Sequence, residues 1–391
     1  MIFSSMPTRT AIIGLSATAT TSWAANAHLP GLRRSAQFQI AALCNSSLSA
    51  AEAAIEEYQL DASSVTPYGS PIDLAADRTI DLVICSTRVD RHYETALPMI
   101  QAGKATYIEW PIAGNATHIE ELLTAARRSG SPVAVGLQSR FAPPVRRIRD
   151  LLESASLGRL LNTEVRAFGG TLDREFLPPG LAYFAQRSVG GNPITIGFAH
   201  DTVIDFVQSV VGDVIPETDH IQFQLQRPDI RVRDPTTGSV VETIRSDVPD
   251  LVSLHGHLPA SAHVAPQASL VAYFSRGQPY PGDPQLEWTL TCEQGAIRLT
   301  APAGIVLGAN TYAEPVTISL HRFDTGETTP VPWAWSPEQE ELPVSARSVQ
   351  SCLLSLAEGN SDGYVSLEQA AARARQIARW LDSFPAGRCA V

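Results

Sequence analysis

The sequence has few cysteines, no excess of positive charge and no long apolar run, and each shortage excludes a class of protein. Its five cysteines lie singly, so there is no C-x-x-C pair to suggest a metal cage, and a reducing compartment is expected. The formal net charge of -11 disfavours nucleic acid as a partner, because the average field repels phosphates. No apolar run reaches the roughly 20 residues that span a bilayer, so no membrane partner is expected.

The N-terminal stretch also lacks the pattern of a secretory signal. It reads "MIFSSMPTRTAIIG", with no charged segment before an apolar core, and its "AIIG" is typical of a first buried strand. We therefore expect a cytoplasmic protein, or a nuclear one if its role is regulatory. One basic cluster (Arg140, Arg146, Arg147 and Arg149) lies on a helix-like stretch and is interpreted as a solvated helix face.

The chain has two parts that differ in their pattern of apolar and polar residues. Residues 1–140 alternate short apolar strands with amphipathic helices, which predicts βαβ units and a parallel, doubly wound α/β sheet, the Rossmann fold that binds NAD(P). Residues 141–391 carry longer β-like segments and then two helical ones. They predict an α+β substrate and dimerisation domain with a large, mostly antiparallel open sheet, whose C-terminal helices pack back on the first domain.

The turn after the first strand is poor in glycine. A dinucleotide site uses glycines there so that the backbone can approach the pyrophosphate. Only Gly14 is kept, and Ser16 takes the second position in a Ser/Thr-rich turn. Hydroxyl groups and backbone N–H groups can also bind phosphate. The predicted phosphate-binding residues are Gly14, Ser16, Thr21, Ser22 and Trp23; the alternative is a solvated loop that caps a helix.

The second strand is followed by "CNSS" instead of the carboxylate that usually accepts the ribose hydroxyl. Asn45 and Ser46 can bond a ribose without repelling a 2′-phosphate. The choice between NAD and NADP therefore stays open.

Several motifs together resemble the Gfo/Idh/MocA (glucose-fructose oxidoreductase / inositol dehydrogenase) family. Within it, the sequence is most similar to the fungal branch that contains the galactose-pathway regulatory protein of yeasts. The motifs are "GLS…W…AHLP" (14–30), "DLVICSTRVDRHYE" (81–94), "EWP" (109–111), "GGNPITIGFAHDTVID" (190–205) and "GHLPASA" (256–262).

The resemblance implies a catalytic set that is only partly present. Family members place a Lys in an "EKP" motif and an Asp four residues before a His. Here Trp110 stands at the Lys position and Ile196 at the Asp position, while His200 matches the His. An indole does not exchange protons at neutral pH, but it can stack on a ring. The resemblance also adds Ser86, His92, Glu109 and Trp110 to the predicted cofactor-binding residues.

Three functions agree with this pattern. The first is an NAD(P)-dependent oxidoreductase acting on a small polyol, sugar or cyclic metabolite of a biosynthetic pathway. Its catalytic residues would be His200 and Tyr183, with Asp173 or Asp201 as helpers. The second is a non-catalytic, dinucleotide-binding co-regulator with a protein partner. The third is a cyclase or isomerase that uses the same pocket without redox chemistry.

Two further expectations concern metals and assembly. His255, His257 and His263 are close in sequence, but no carboxylate or cysteine accompanies them, so no metal site is predicted. A homodimer is expected, because an open sheet leaves one face to be covered.

Overall fold

The protein is represented by a computed structural model that describes residues 6–19, 22–169, 173–189, 203–309 and 311–384. The chain divides into two compact units. The first comprises residues 1–138 and 336–375, and the second comprises residues 139–335 and 376–391.

The first unit is built on a largely parallel sheet. Its strands are β1 Thr8–Ile13, β2 Phe38–Cys44, β3 Thr66–Tyr68, β4 Leu82–Cys85, β5 Ala105–Ile108, β6 Val133–Val135 and β18 Val365–Ser366. Their order is β18-β6-β5-β4-β1-β2-β3, with only β18 antiparallel to its neighbour. Strands β4 and β5 are apolar and buried almost throughout, as expected where helices cover both faces. The predicted Rossmann domain is thereby confirmed.

Several helices of this unit begin at a residue whose side chain caps them. The helices of the unit are α1 Leu29–Arg34, α2 Leu48–Glu57, α3 Pro71–Ala76, α4 Val89–Gln101, α5 Ala116–Ser129, α8 Pro337–Glu340 and α9 Val344–Ala357. Ser47 and Asn115 accept backbone N–H groups at the starts of α2 and α5. A short π-helix, Ala24–His28, precedes α1.

The second unit contains a large sheet with one buried face. Its strands are β7 Leu160–Gly169, β9 His220–Gln224, β12 Leu251–His257, β13 Val264–Arg276, β14 Leu286–Cys292, β15 Gly295–Ala301, β16 Thr317–Arg322 and β17 Thr328–Pro330. The order is β17-β16-β15-β14-β7-β13-β12-β9, antiparallel except between β7 and β13. In β14 every second residue is buried, so that face forms the core and Trp288 lies within it. The predicted α+β architecture is confirmed.

Sequence patterns did not indicate the second sheet of this unit. Strands β8 Phe176–Leu177, β10 Asp229–Arg233 and β11 Val240–Arg245 form it, in the order β11-β10-β8. β11 is exposed over most of its length, and β8 is only two residues long. Short, polar strands carry too little apolar alternation to be recognised.

The interpretation of the basic cluster as a solvated helix face is wrong for Arg140 and Arg149, whereas Arg146 is exposed. The second unit has the helices α6 Pro143–Glu153 and α7 Ile204–Val211, and α10 Leu367–Asp382 runs across the boundary of the two units. Arg140 makes two hydrogen bonds of 2.6 Å to the buried carboxylate of Asp205 on α7. Arg149 donates to Ser209. The arginines therefore join α6 and the segment before it to α7, because a buried carboxylate needs a charged partner.

Among the described residues, no helix is both long enough and apolar enough to cross a membrane.

Gly14 closes β1 in a conformation that other residues avoid, and this generates a prediction. Its φ is +98°, and an added Cβ would lie 2.5 Å from the carbonyl oxygen of Ser86. Gly103 has a similar φ of +76° but open space around it. We expect Gly103→Ala to cost about 1 kcal/mol of backbone strain and Gly14→Ala about 3 kcal/mol or more, because overpacking is added. Urea denaturation measures both, and equal losses would contradict the steric argument.

Candidate functional site

The turn after β1 is held by serine side chains. The hydroxyl oxygen of Ser16 accepts the backbone N–H groups of Thr18 and Ala19, each at 3.2 Å. The hydroxyl oxygen of Ser22 accepts the N–H of Ala25 at 3.2 Å. A phosphate oxygen accepts backbone N–H groups in the same way in a glycine-rich turn. Thr21, also predicted here, lies outside the described residues.

Two side chains from the next βαβ unit support the same turn. The amide nitrogen of Asn45 donates to the carbonyls of Leu15 and Ala50, and the hydroxyl of Tyr58 donates to the carbonyl of Ser16. The Asn45 amide thus braces the turn and leaves its oxygen for a ligand. Ser46 is exposed beside it. No carboxylate occupies this place, so the structure keeps both NAD and NADP open.

His92 is a buried brace between two loops. One ring nitrogen lies 2.7 Å from the carbonyl of Pro111 and the other 2.9 Å from that of Thr87. Burial lowers the pKa of His92, and the two carbonyls oppose this only in part. The ring therefore joins the loop after β4, which begins with the half-buried Ser86, to the loop after β5. The described contacts of His92 connect parts of the protein, and its contact with a cofactor stays a prediction.

Glu109 is a buried acceptor that two side chains share at this edge of the sheet. It follows β5 and is only 6% exposed. One carboxylate oxygen, Oε1, accepts the indole N–H of Trp23 at 2.8 Å and lies 2.5 Å from Nε2 of His28. The other oxygen, Oε2, lies beside Gly136, where an added Cβ would be 2.4 Å away. Gly136 thus leaves the room that the carboxylate needs.

Three buried polar atoms near Glu109 have no hydrogen-bond partner among the described residues. They are Nε1 of Trp110, Nε2 of Gln138 and Nδ1 of His28. Trp110 is 5% exposed and follows β5, whereas Gln138 follows β6 and accepts a bond from Tyr107. A buried donor without a partner costs about 1–3 kcal/mol, so it indicates a missing ligand or water.

These features fit a dinucleotide. The serine-held turn lies after β1, and the unpartnered donors follow β5 and β6, all at the carboxyl edge of a parallel sheet, where such sheets bind ligands. Gly14, Ser16 and Ser22 would hold the pyrophosphate, Asn45 and Ser46 the ribose, and Trp110 and Gln138 would offer N–H groups to the nicotinamide end.

The predicted catalytic residues belong to the second unit. Tyr183 is half-buried and packs against a small apolar cluster that includes Leu177 and Ile230, with its ring 4.6 Å from that of Phe184. His200 and Ile196 lie outside the described residues, so their roles stay predictions. In the described parts of the chain, no group of three His, Cys, Asp or Glu could hold a metal ion.

Comparison with known proteins identifies the two parts of the chain. Residues 8–137 match the Gfo/Idh/MocA family, described as "Oxidoreductase family, NAD-binding Rossmann fold", and residues 143–301 match "Gal80p, C-terminal domain". The chain joins a Gfo/Idh/MocA NAD-binding domain to a Gal80p-type C-terminal domain. The resemblance drawn from the motifs is confirmed.

The relatives include both dehydrogenases and regulators. The chain is 29% identical to dehydrogenase aclE of Aspergillus oryzae over 90% of this chain and 89% of that protein. It is 26% identical to the galactose/lactose metabolism regulatory protein GAL80 of Saccharomyces cerevisiae, over 64% of this chain and 58% of that one. A crystal structure of a super-repressor mutant of that yeast's Gal80p is similar with a TM-score of 0.81, at 20% identity, over 96% of this chain and 95% of the other. The relatives of the chain therefore include a dehydrogenase and a regulatory protein.

His28 is the residue that sequence reasoning missed. It is part of the quoted "AHLP" segment, but it was given no role. In the structure it is fully buried and reaches the same oxygen as Trp23, five residues earlier. An α-helical register would separate these two side chains by about 140°. No periodicity signal therefore placed them together.

The state of His92 predicts a pH-dependent stability. Its folded pKa is lowered, so as the pH falls below about 6.5 the unfolded chain takes up a proton that the folded chain does not. This group should make the free energy of unfolding decrease by up to about 1.4 kcal/mol per pH unit. His92→Gln should give a shallower dependence between pH 6.5 and 5 in urea denaturation. The exposed His257→Gln serves as the control, and an unchanged slope in His92→Gln would refute the assignment.

Proposed function

We propose that this chain is an NAD(P)-dependent oxidoreductase that acts on a small polyol, sugar or cyclic metabolite of a biosynthetic pathway. The observation that carries the proposal is the buried Glu109 together with the N–H donors of Trp110 and Gln138, which have no partner among the described residues. They lie at the edge of the parallel sheet where a dinucleotide is expected. The dehydrogenase relative that matches over most of both chains supports this choice.

The chemistry has to proceed without the lysine of the family. When bound, the nicotinamide supplies the hydride acceptor or donor. The Trp110 indole is a neutral donor that can bond a carbonyl oxygen, but it cannot take up a proton. We assign removal of the hydroxyl proton to His200, with Tyr183 as a second acid/base candidate. Loss of the lysine cation predicts slow turnover, because a charge that stabilises the developing oxyanion is missing.

A regulator is the second candidate. It is favoured by Trp110 at the lysine position and by the Gal80p-type domain over residues 143–301. Under this proposal the dinucleotide is a ligand that is sensed rather than consumed, and the partner is a protein. The enzyme is expected in the cytoplasm, whereas the regulator is expected in the nucleus.

Cofactor titration and turnover separate the candidates. We expect NADH or NADPH to bind, as followed by nicotinamide fluorescence, and absorbance at the nicotinamide band to change with polyols, sugars or cyclic ketones. His200→Ala should abolish that turnover, while the exposed His257→Ala should retain it. Tight binding without turnover of any compound supports the regulator. Conversion of a substrate without nicotinamide consumption supports a cyclase or isomerase, and absence of dinucleotide binding refutes the first two proposals.

We also propose a homodimer formed through the outer face of the large sheet. Val271 on β13 is 46% exposed on that face, between Glu164 and His255 of the neighbouring strands. Val271→Arg should convert dimers to monomers, because it places a bulky, solvated charge in the contact between the copies. Tyr280→Arg is the control, since Tyr280 is 77% exposed in a turn outside the sheet. Sedimentation velocity measures the outcome, and an unchanged dimer in Val271→Arg would exclude this face.

A further inference from the structure

The side chains of Trp23, Glu109 and His28 meet in a buried group of polar contacts, called here the 23–109–28 junction. The sequence did not predict these contacts. Trp23 and Glu109 were expected to contact the cofactor directly. In the structure, Trp23 donates its indole N–H to Glu109 at 2.8 Å, and His28 lies beside the same oxygen. The junction links the end of the Ser/Thr-rich turn to the end of β5.

The local helix type makes the junction possible. The backbone N–H of Leu29 donates to the carbonyl of Ala24, five residues earlier, which is the bonding pattern of a π-helix. In that geometry, residues five apart lie nearly above one another, so Trp23 and His28 project to the same side. An ordinary α-helix would turn one of them away from Glu109. Short π segments are uncommon and often occur at functional sites.

Charge and burial make the junction energetically demanding. Glu109 is 6% exposed and His28 is fully buried. Within the described part of the chain, Trp23 and His28 are the side chains that bond the Glu109 carboxylate. A buried carboxylate costs several kcal/mol unless donors compensate it. Removal of one donor should therefore weaken the attachment of the turn to β5.

The rest of the turn has similar side-chain supports. Asn45 holds the carbonyl of Leu15 and Tyr58 holds that of Ser16, near the start of the turn. The 23–109–28 junction provides the corresponding support at its far end. A turn that is fixed before binding loses less conformational entropy when it takes up a ligand.

We propose that the 23–109–28 junction is a positioning device that holds the glycine-poor turn in its dinucleotide-binding conformation. In this role Trp23 and His28 act through Glu109 rather than by touching the ligand. The inference rests on the proposed dinucleotide binding and adds the residues that set its affinity. Side-chain hydrogen bonds here replace the backbone geometry that glycines provide elsewhere.

The test is a double-mutant cycle on dinucleotide affinity in the full-length chain. Trp23→Phe keeps the ring and removes only the N–H donor, while Glu109→Leu removes the acceptor oxygens. We expect each to weaken NADH or NADPH binding about tenfold, and the double variant to be no weaker than the weaker single one, since both break one hydrogen bond. His28→Gln, which keeps an N–H donor, should retain more affinity than His28→Ala. A role limited to stability would lower the melting temperature of the free protein without this pattern in affinity.

Trp333→Phe is the matched control, because it removes an indole N–H that donates to the carbonyl of Val316 in the second unit. It should leave affinity unchanged. If Trp23→Phe binds dinucleotide as tightly as the wild type, or if the two effects multiply in the double variant, the positioning role is refuted while the proposed function stands. If the wild type itself binds neither NADH nor NADPH, the proposed function fails as well. Should Glu109→Leu not fold, the comparison of Trp23→Phe with Trp333→Phe still decides.

Discussion

A buried carboxylate controls the arrangement of the first unit around its candidate site. Glu109 lies at the end of a central strand, where water is largely excluded, and Trp23 and His28 donate to one of its oxygens. An uncompensated charge at this position would lower the stability of the folded state. The contacts with the carboxylate therefore favour packing of the segment of Trp23 and His28 against the strand end. Gly136 on the neighbouring strand end is equally constrained, since any side chain there would meet the carboxylate.

The turn after β1 shows how a dinucleotide site can be built with few glycines. Gly14 remains because its positive φ and the nearby carbonyl of Ser86 exclude a side chain. Beyond it, hydroxyl and amide groups replace backbone flexibility. Ser16 satisfies two backbone N–H groups, and Asn45 bonds the carbonyl of Leu15. The turn is thereby preorganised by specific side chains, and it is correspondingly sensitive to their replacement.

Trp110 stands where the family has a lysine. It can contact a ligand, but it cannot supply the positive charge or the exchangeable proton of that lysine. The indole retains a donor and a flat apolar face but carries no charge. Its N–H has no partner among the described residues, so a ligand with an acceptor atom is favoured there. The relatives of the chain include a dehydrogenase and a regulatory protein, so similar sequences occur in proteins of both kinds.

The amino-acid sequence by itself determined the two-part architecture, the parallel sheet, the large second sheet and the family. These features depend on periodicity and on motifs that are local in the chain, such as the buried runs of β4 and β5 and the alternation in β14. Only the tertiary structure decided that Trp23 and His28 share an oxygen of Glu109, that Arg140 pairs with Asp205, and that His92 braces two loops. Each of these contacts depends on a π-helical turn or on side chains from distant segments. These contacts leave no periodic pattern of apolar residues in the sequence. The energy of a buried polar contact depends on partners that are neighbours in space and not in sequence.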